Sequence, residues 1–171
     1  LSDAIVNFEN EITIINIDLY KKNFDAVVMT SSLDLFLDHN EKLEWRGIES
    51  KAEFYPTSSD EEKLTEAYQI NHPSLNDEFT RTIETKHASG QLVSGTVVCK
   101  EYPVSGLRHY PVLNKDDSNT KLNNKLKEII NKSISLPVFF CGRLANYQYI
   151  NQDEAILQGF STAKKLRNHF K

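Results

Sequence analysis

The sequence predicts an α+β fold with a largely antiparallel or mixed sheet. Three observations carry this: β-branched and alternating runs through the first two-thirds, polar stretches separating them, and long helical periodicity only from Ser118 onward. A chain of 171 residues reads as one domain, or a domain with an appended lobe. That length suffices for a core, since about 150 residues bury roughly 68–70% of their unfolded surface.

Residues 11–20, EITIINIDLY, alternate apolar and polar positions and predict a half-buried strand. FDAVVMT is a short apolar run without a helical period, a second and more buried strand. SLDLFLDHN predicts a short helix or turn capped by Ser32 or Ser31. LEWRGIESKAEFYP, RTIETKHA and GTVVCKEYP are three further strands. The polar stretch TSSDEEKLTEAYQINHPSLND is a loop with room for one short helix or a weak strand. HASGQLVSG reads as a strand-connecting hairpin with Gly90 at its turn. Over Ser118 to Lys132, Leu122, Leu126, Ile129 and Ile130 share one face of an amphipathic helix. LPVFFCG is a buried strand, and NQDEAILQGFSTAKKLRNHF a closing helix with an apolar stripe of Ala155, Ile156, Phe160, Ala163 and Leu166.

Composition removes several functions. The net charge is −4, against the basic field that nucleic-acid binding requires. Cys99 and Cys141 form no metal pattern and read as reduced thiols. The longest apolar runs fall far short of the roughly 20 residues that span a bilayer, so no membrane partner is expected. His72, His87 and His109 lack a Gly-x-Ser-x-Gly element or a paired catalytic cysteine, which speaks against a hydrolase. The numbering opens on Leu1 with no signal-peptide pattern, as expected of a segment of a larger gene product.

The chemistry concentrates between Phe139 and Leu166: a strand, Gly142, Arg143, two tyrosines and a helix beginning near Asn151. The free N–H groups of a helix's first turn, with the helix dipole, favour an anion such as a diphosphate. The plainer reading makes Gly142 a turn and Asn151 an N-cap, since strand–loop–helix units are common.

This segment resembles the closing signature of the UDP-galactopyranose mutase family, with its Gly-Arg-Leu, spaced tyrosines and acid/amide helix start. LEWRG, FTRTIETKH, and VVCKEYP followed by HYPV are similar to that family's strands in the same order, and FDAVVMTSSLD to the strand leading toward the flavin. The resemblance covers most of residues 13 to 166.

It implies a flavin-dependent isomerase that interconverts UDP-galactopyranose and UDP-galactofuranose through an adduct between flavin N5 and the sugar. Arg81 and Arg143 fall where the family holds the substrate diphosphate, as a planar, permanently charged fork suits. Arg46 matches a third arginine, and Tyr110 and Tyr149 match phenols that donate to the phosphates. Gly142, Arg143, Tyr149, Asn151, Gln152 and Asp153 are the implied cofactor contacts; no side chain is assigned a covalent role and no metal is implied. Each has a plainer reading: Arg81 paired with Glu84 or Glu101, Arg143 closing the strand end in a salt bridge, Arg46 solvated, the tyrosines in the core. Asn151, Cys141, His109 and Thr30-Ser31-Ser32 replace the family's Asp, Gly, Tyr and Thr-Gly-Pro, which leaves the sugar open.

There is no GxGxxG, and the six glycines are isolated. The chain is therefore expected to be the C-terminal part of such an enzyme. Residues 1–137 would form a sheet-rich substrate-side domain and 138–171 a strand–loop–helix returning to the FAD-binding domain. FAD, reduced for activity, is expected only with an N-terminal region, and the segment alone is expected to be inactive. The implied partners are a UDP-sugar, the rest of the same chain and, as an open case, a second copy in a homodimer; the implied compartment is the cytoplasm. Two alternatives stand beside this: an amine-oxidase-like flavin oxidoreductase, and a non-catalytic interaction module that keeps the fold.

Overall fold

The structure is a computed structural model that describes residues 24–171. The strand expected at residues 11–20 lies outside them. In chain order, β1 (Val27–Met29) leads to a single helical turn, α1 (Leu33–Phe36). Next come β2 (Trp45–Tyr55), β3 (Gln69–Asn71), β4 (Arg81–Glu84), a second helical turn α2 (Lys86–Ser89), β5 (Thr96–Val104) and β6 (Tyr110–Pro111). The chain closes with α3 (Ser118–Ser133), β7 (Val138–Phe140), a short α4 (Gly142–Asn146) and α5 (Gln152–His169). The α+β architecture expected from the sequence is the one that forms. The chain divides into two compact units: Trp45–Tyr110, and the residues up to Glu44 together with Pro111–Lys171.

Trp45–Tyr110 holds most of a five-stranded sheet ordered β3-β4-β5-β2-β6. The long β2–β5 pair is antiparallel and runs in register from Gly47↔Val104 to Tyr55↔Thr96. Pro103 sits within β5 without breaking the ladder, because pairing with β4 ends at Arg81↔Glu101. Gly47 is required by a close approach: a Cβ there would stand 2.7 Å from Leu107 Cβ and from the Val104 carbonyl oxygen. The weak strand allowed for in the polar stretch is β3.

Two local expectations change here. RTIETKHA is a strand only as far as Glu84, after which the chain turns into α2. The β4–β5 connection is accordingly no tight hairpin; Gly90 takes its turn as the left-handed cap of α2, at φ 62°. The reason lies in Lys86, buried in the connection, whose Nζ donates to the carbonyls of Val93 at 2.8 Å and Gly95 at 3.1 Å. A loop wrapped around a lysine needs more chain than a two-residue turn.

Glu84 anchors this end of the sheet. It is fully buried, and its carboxylate accepts from the Thr65 N–H (2.7 Å), the Thr65 hydroxyl (2.6 Å), the Thr96 hydroxyl (2.7 Å) and the Leu64 N–H (3.1 Å). Burial on its own would raise the carboxyl's pKa, but these donors overcome it and hold the group at about 2.

In the other unit β1 and β7 pair in parallel, Val27↔Val138 to Met29↔Phe140. The core gathers Leu33, Phe36, Leu43, Leu126, Ile130 and Ala145. Ser32 occupies the N-cap position of α1, yet its hydroxyl donates to the buried Asp34 at 2.8 Å instead of capping. The other Asp34 oxygen accepts the Leu43 N–H at 3.1 Å. On α3, Leu126 and Ile130 are buried as the periodicity requires, flanked by buried Asn119 and Asn123. β7 is half-buried along its length, less enclosed than expected.

The closing helix presents a different face from the one its apolar stripe predicts. Ile156 is 60% and Phe160 71% exposed, while Thr162 is buried and Ala155, Gln158, Gly159 and Leu166 are half-buried. Polar contacts set this rotation. The Gln158 carbonyl oxygen accepts the Gly142 N–H at 3.0 Å and the Asn146 amide at 3.1 Å, while its amide donates to Gln148 at 2.8 Å.

Candidate functional site

The strand end at Cys141 leads through Gly142 at φ 85°, a conformation that side chains with a Cβ rarely adopt. Open space surrounds the position where its Cβ would stand. The residues after it form α4, where a loop was expected. Tyr147 ends that helix in the left-handed region, φ 51°. Its buried hydroxyl donates to the Glu44 carbonyl and accepts the Val112 N–H at 3.0 Å. The first of the two spaced tyrosines is thus a core anchor.

The second, Tyr149, is exposed. The Arg143 guanidinium lies 5.5 Å from its ring centroid and donates to the Ile150 carbonyl. The structure therefore brings Arg143, on α4, together with Tyr149 in the loop that follows it. The contacts of Arg143 include an aromatic face and a backbone oxygen.

At the start of α5, Asn151 is the N-cap and forms a capping box with Glu154. Its side chain accepts the Glu154 N–H, and Glu154 accepts the Asn151 N–H at 2.8 Å. The cap reading of Asn151 is realised, and it leaves the N–H groups of Gln152 and Asp153 without an intrahelical acceptor. Gln152 and Asp153 are both exposed.

Arg46, Arg81 and Tyr110 belong to Trp45–Tyr110. Arg81 sits between its two cross-strand neighbours: its Nη1 lies 3.2 Å from Glu101 and its Nε donates to Asn71 at 3.2 Å. Glu101, and not Glu84, is its carboxylate partner. Arg46 is exposed on β2, and its carbonyl accepts the His109 N–H at 3.1 Å. His109 returns the contact through Nδ1, which accepts the Ile48 N–H at 3.0 Å. Tyr110 is half-buried on the edge strand β6.

Sequence reasoning passed over a cleft in the second unit. It encloses about 640 Å³ between α3 (Thr120, Asn123, Asn124, Lys127), the Tyr147–Ile150 loop and α5 (Glu154, Leu157, Gln158). Lys127 donates to Asn146 at 2.9 Å, and burial pulls its pKa below the usual lysine value. The signal was present in Asn123 and Lys127, polar residues flanking the buried Leu126 on α3.

The parallel strand pair and the capped helix of one unit and the antiparallel sheet of the other define a class of mixed α+β protein. A family model places the chain within that class. The model for UDP-galactopyranose mutase matches residues 2–149, and the chain belongs to this family. The role that accompanies membership is mutase-like, an isomerisation. The match includes Arg46, Arg81, Tyr110, Arg143 and Tyr149 and stops short of Asn151. Among the described residues no helix is long and apolar enough to cross a membrane.

Proposed function

We propose that this chain holds the diphosphate of a UDP-sugar for a flavin-dependent mutase that interconverts the pyranose and furanose forms of UDP-galactose. The observation that carries the reading is the Arg143–Tyr149 pair, 5.5 Å apart, from α4 and the loop before α5, within the family match. Arg143 supplies a forked, permanently charged donor, and Tyr149 a phenol that turns to a phosphate oxygen. Such donors act as the anomeric C–O bond breaks and negative charge gathers on the leaving diphosphate. Ile150 and the Tyr149 ring hold the guanidinium in place beforehand, which lowers the entropy cost of binding.

For Arg81, Tyr110 and Arg46 the reading is the same kind of ligand. The Glu101 carboxylate and the Asn71 amide orient the Arg81 fork, so Arg81 would share its donors between Glu101 and a phosphate.

The residues fit FAD at one observed point: the open space beside Gly142 lets a flat group approach the backbone. Gly142, Arg143, Tyr149, Asn151, Gln152 and Asp153 would line that cofactor, whose reduced flavin supplies the nucleophile when bound.

The test is calorimetric titration of UDP into the wild-type chain and into Arg143→Lys and Tyr149→Phe. Losing the bidentate fork removes a charge-assisted hydrogen bond of about 1.5–3 kcal/mol, so Arg143→Lys should bind UDP roughly 10–100-fold more weakly. Tyr149→Phe should lose less, and uridine should distinguish neither variant from wild type. Equal UDP affinity in wild type and Arg143→Lys would sink the reading.

A further inference from the structure

The helical turn that carries Arg143 is too short to hold its own shape. α4 has five residues, and the side chain of Cys141 at its N-cap position makes no capping hydrogen bond. The missing cap comes from α5. Gln158 Oε1 accepts the Gly142 N–H at 3.0 Å, at the start of α4, and the Asn146 side-chain amide at 3.1 Å, at its end.

The other half of the same amide reaches the loop beyond. Gln158 Nε2 donates to Gln148 Oε1 at 2.8 Å, one residue before Tyr149. The three bonds bracket Arg143 and Tyr149, whose guanidinium and ring lie 5.5 Å apart. A side-chain amide serves all three, because its oxygen takes two donors while its nitrogen gives one.

We propose that Gln158 is the positioning residue of the Arg143–Tyr149 pair: by fixing both ends of α4 and the loop after it, Gln158 sets the guanidinium against the ring. The guanidinium is thereby oriented before an anion arrives, so less side-chain entropy is lost on binding. The consequence for UDP rests on the diphosphate reading of this site; the placement of Arg143 against Tyr149 does not.

The experiment follows the Arg143 Nε–H signal of the full ¹⁵N-labelled chain, with Tyr149→Leu marking where that signal lies once the ring is gone. Gln158→Leu removes all three bonds. It should carry the Arg143 signal toward its Tyr149→Leu position and weaken UDP binding roughly tenfold. Gln158→Glu keeps an acceptor for Gly142 and Asn146 and should leave the signal near its wild-type position, a rescue that a change in stability alone would not produce. Gln148→Ala cuts only the third bond, from an exposed loop position, and should move the signal part of the way even if Gln158→Leu fails to fold. The proposal is overturned if either Gln148→Ala or a folded Gln158→Leu leaves the Arg143 signal where wild type has it, or if Gln158→Glu moves it as far as Gln158→Leu. Where wild type binds UDP, equal affinity in Gln158→Leu overturns it too. A wild type that binds no UDP sinks the diphosphate reading alone, and the Arg143 signal still decides the role of Gln158.

Discussion

Replacing Glu84 by Gln tests what holds the strand that carries Arg81. The carboxylate takes its donors from both sides: the Thr65 N–H and hydroxyl on one oxygen, the Thr96 hydroxyl on the other. An amide must turn its NH₂ toward one of these sets. The less costly choice faces Thr96, whose hydroxyl can rotate to accept, and the Leu64 N–H, 3.1 Å from both carboxylate oxygens, then keeps one acceptor and meets a donor in place of the other. With the charge-assisted character of the remaining bonds also lost, the expected destabilisation is about 2–4 kcal/mol at pH 7. Linkage makes the prediction specific. The folded carboxyl sits at about 2 against an ordinary 4.5, so it contributes about 3 kcal/mol at neutral pH. Because the folded value is the lower one, that contribution is fully present above the unfolded value and fades as pH falls toward 2. More than half of it should be gone by pH 3. Urea unfolding of wild type and Glu84→Gln at pH 7 and pH 3 should therefore show the gap between the two proteins narrowing by roughly 2 kcal/mol in acid. A gap of the same size at both values, or one under about 0.5 kcal/mol at pH 7, would refute the reasoning.

Gly47→Ala should cost about 1–3 kcal/mol in urea unfolding, because the added Cβ would stand 2.7 Å from both Leu107 Cβ and the Val104 carbonyl oxygen; a neutral result would mean that the Leu107 turn yields freely. Since the 171 residues contain no GxGxxG, the chain purified alone should carry no stoichiometric flavin and should not turn over UDP-galactose. A yellow preparation, loaded one to one by its visible spectrum, would contradict this.

What was legible in the sequence follows from which force decides each feature. α3 was readable because apolar burial of Leu126 and Ile130 fixes it, and burial writes a period into the sequence. The rotation of α5 was not readable. Its inward face is set by Gln158 meeting the Gly142 N–H and Asn146, and a hydrogen bond to a distant backbone group leaves no period behind. The capping box at Asn151 and Glu154 was within reach of the sequence, being a local spacing of three residues.

The site divides along the same line. Arg81 was recognisable as a candidate, yet the sequence offered it two partners, Glu84 and Glu101. Strand geometry chooses between them. Residues three apart on one strand project from opposite faces, so Arg81 and Glu84 diverge, whereas antiparallel register sets Glu101 directly across from Arg81 on the same face. The same alternation sends Glu84 into the interior, where threonine hydroxyls and backbone N–H groups replace water around it. One register thus produces both a half-exposed arginine paired with Glu101 and a buried carboxylate that fixes its strand. The arginine's chemistry was in the sequence, and which carboxylate it meets comes from the pairing.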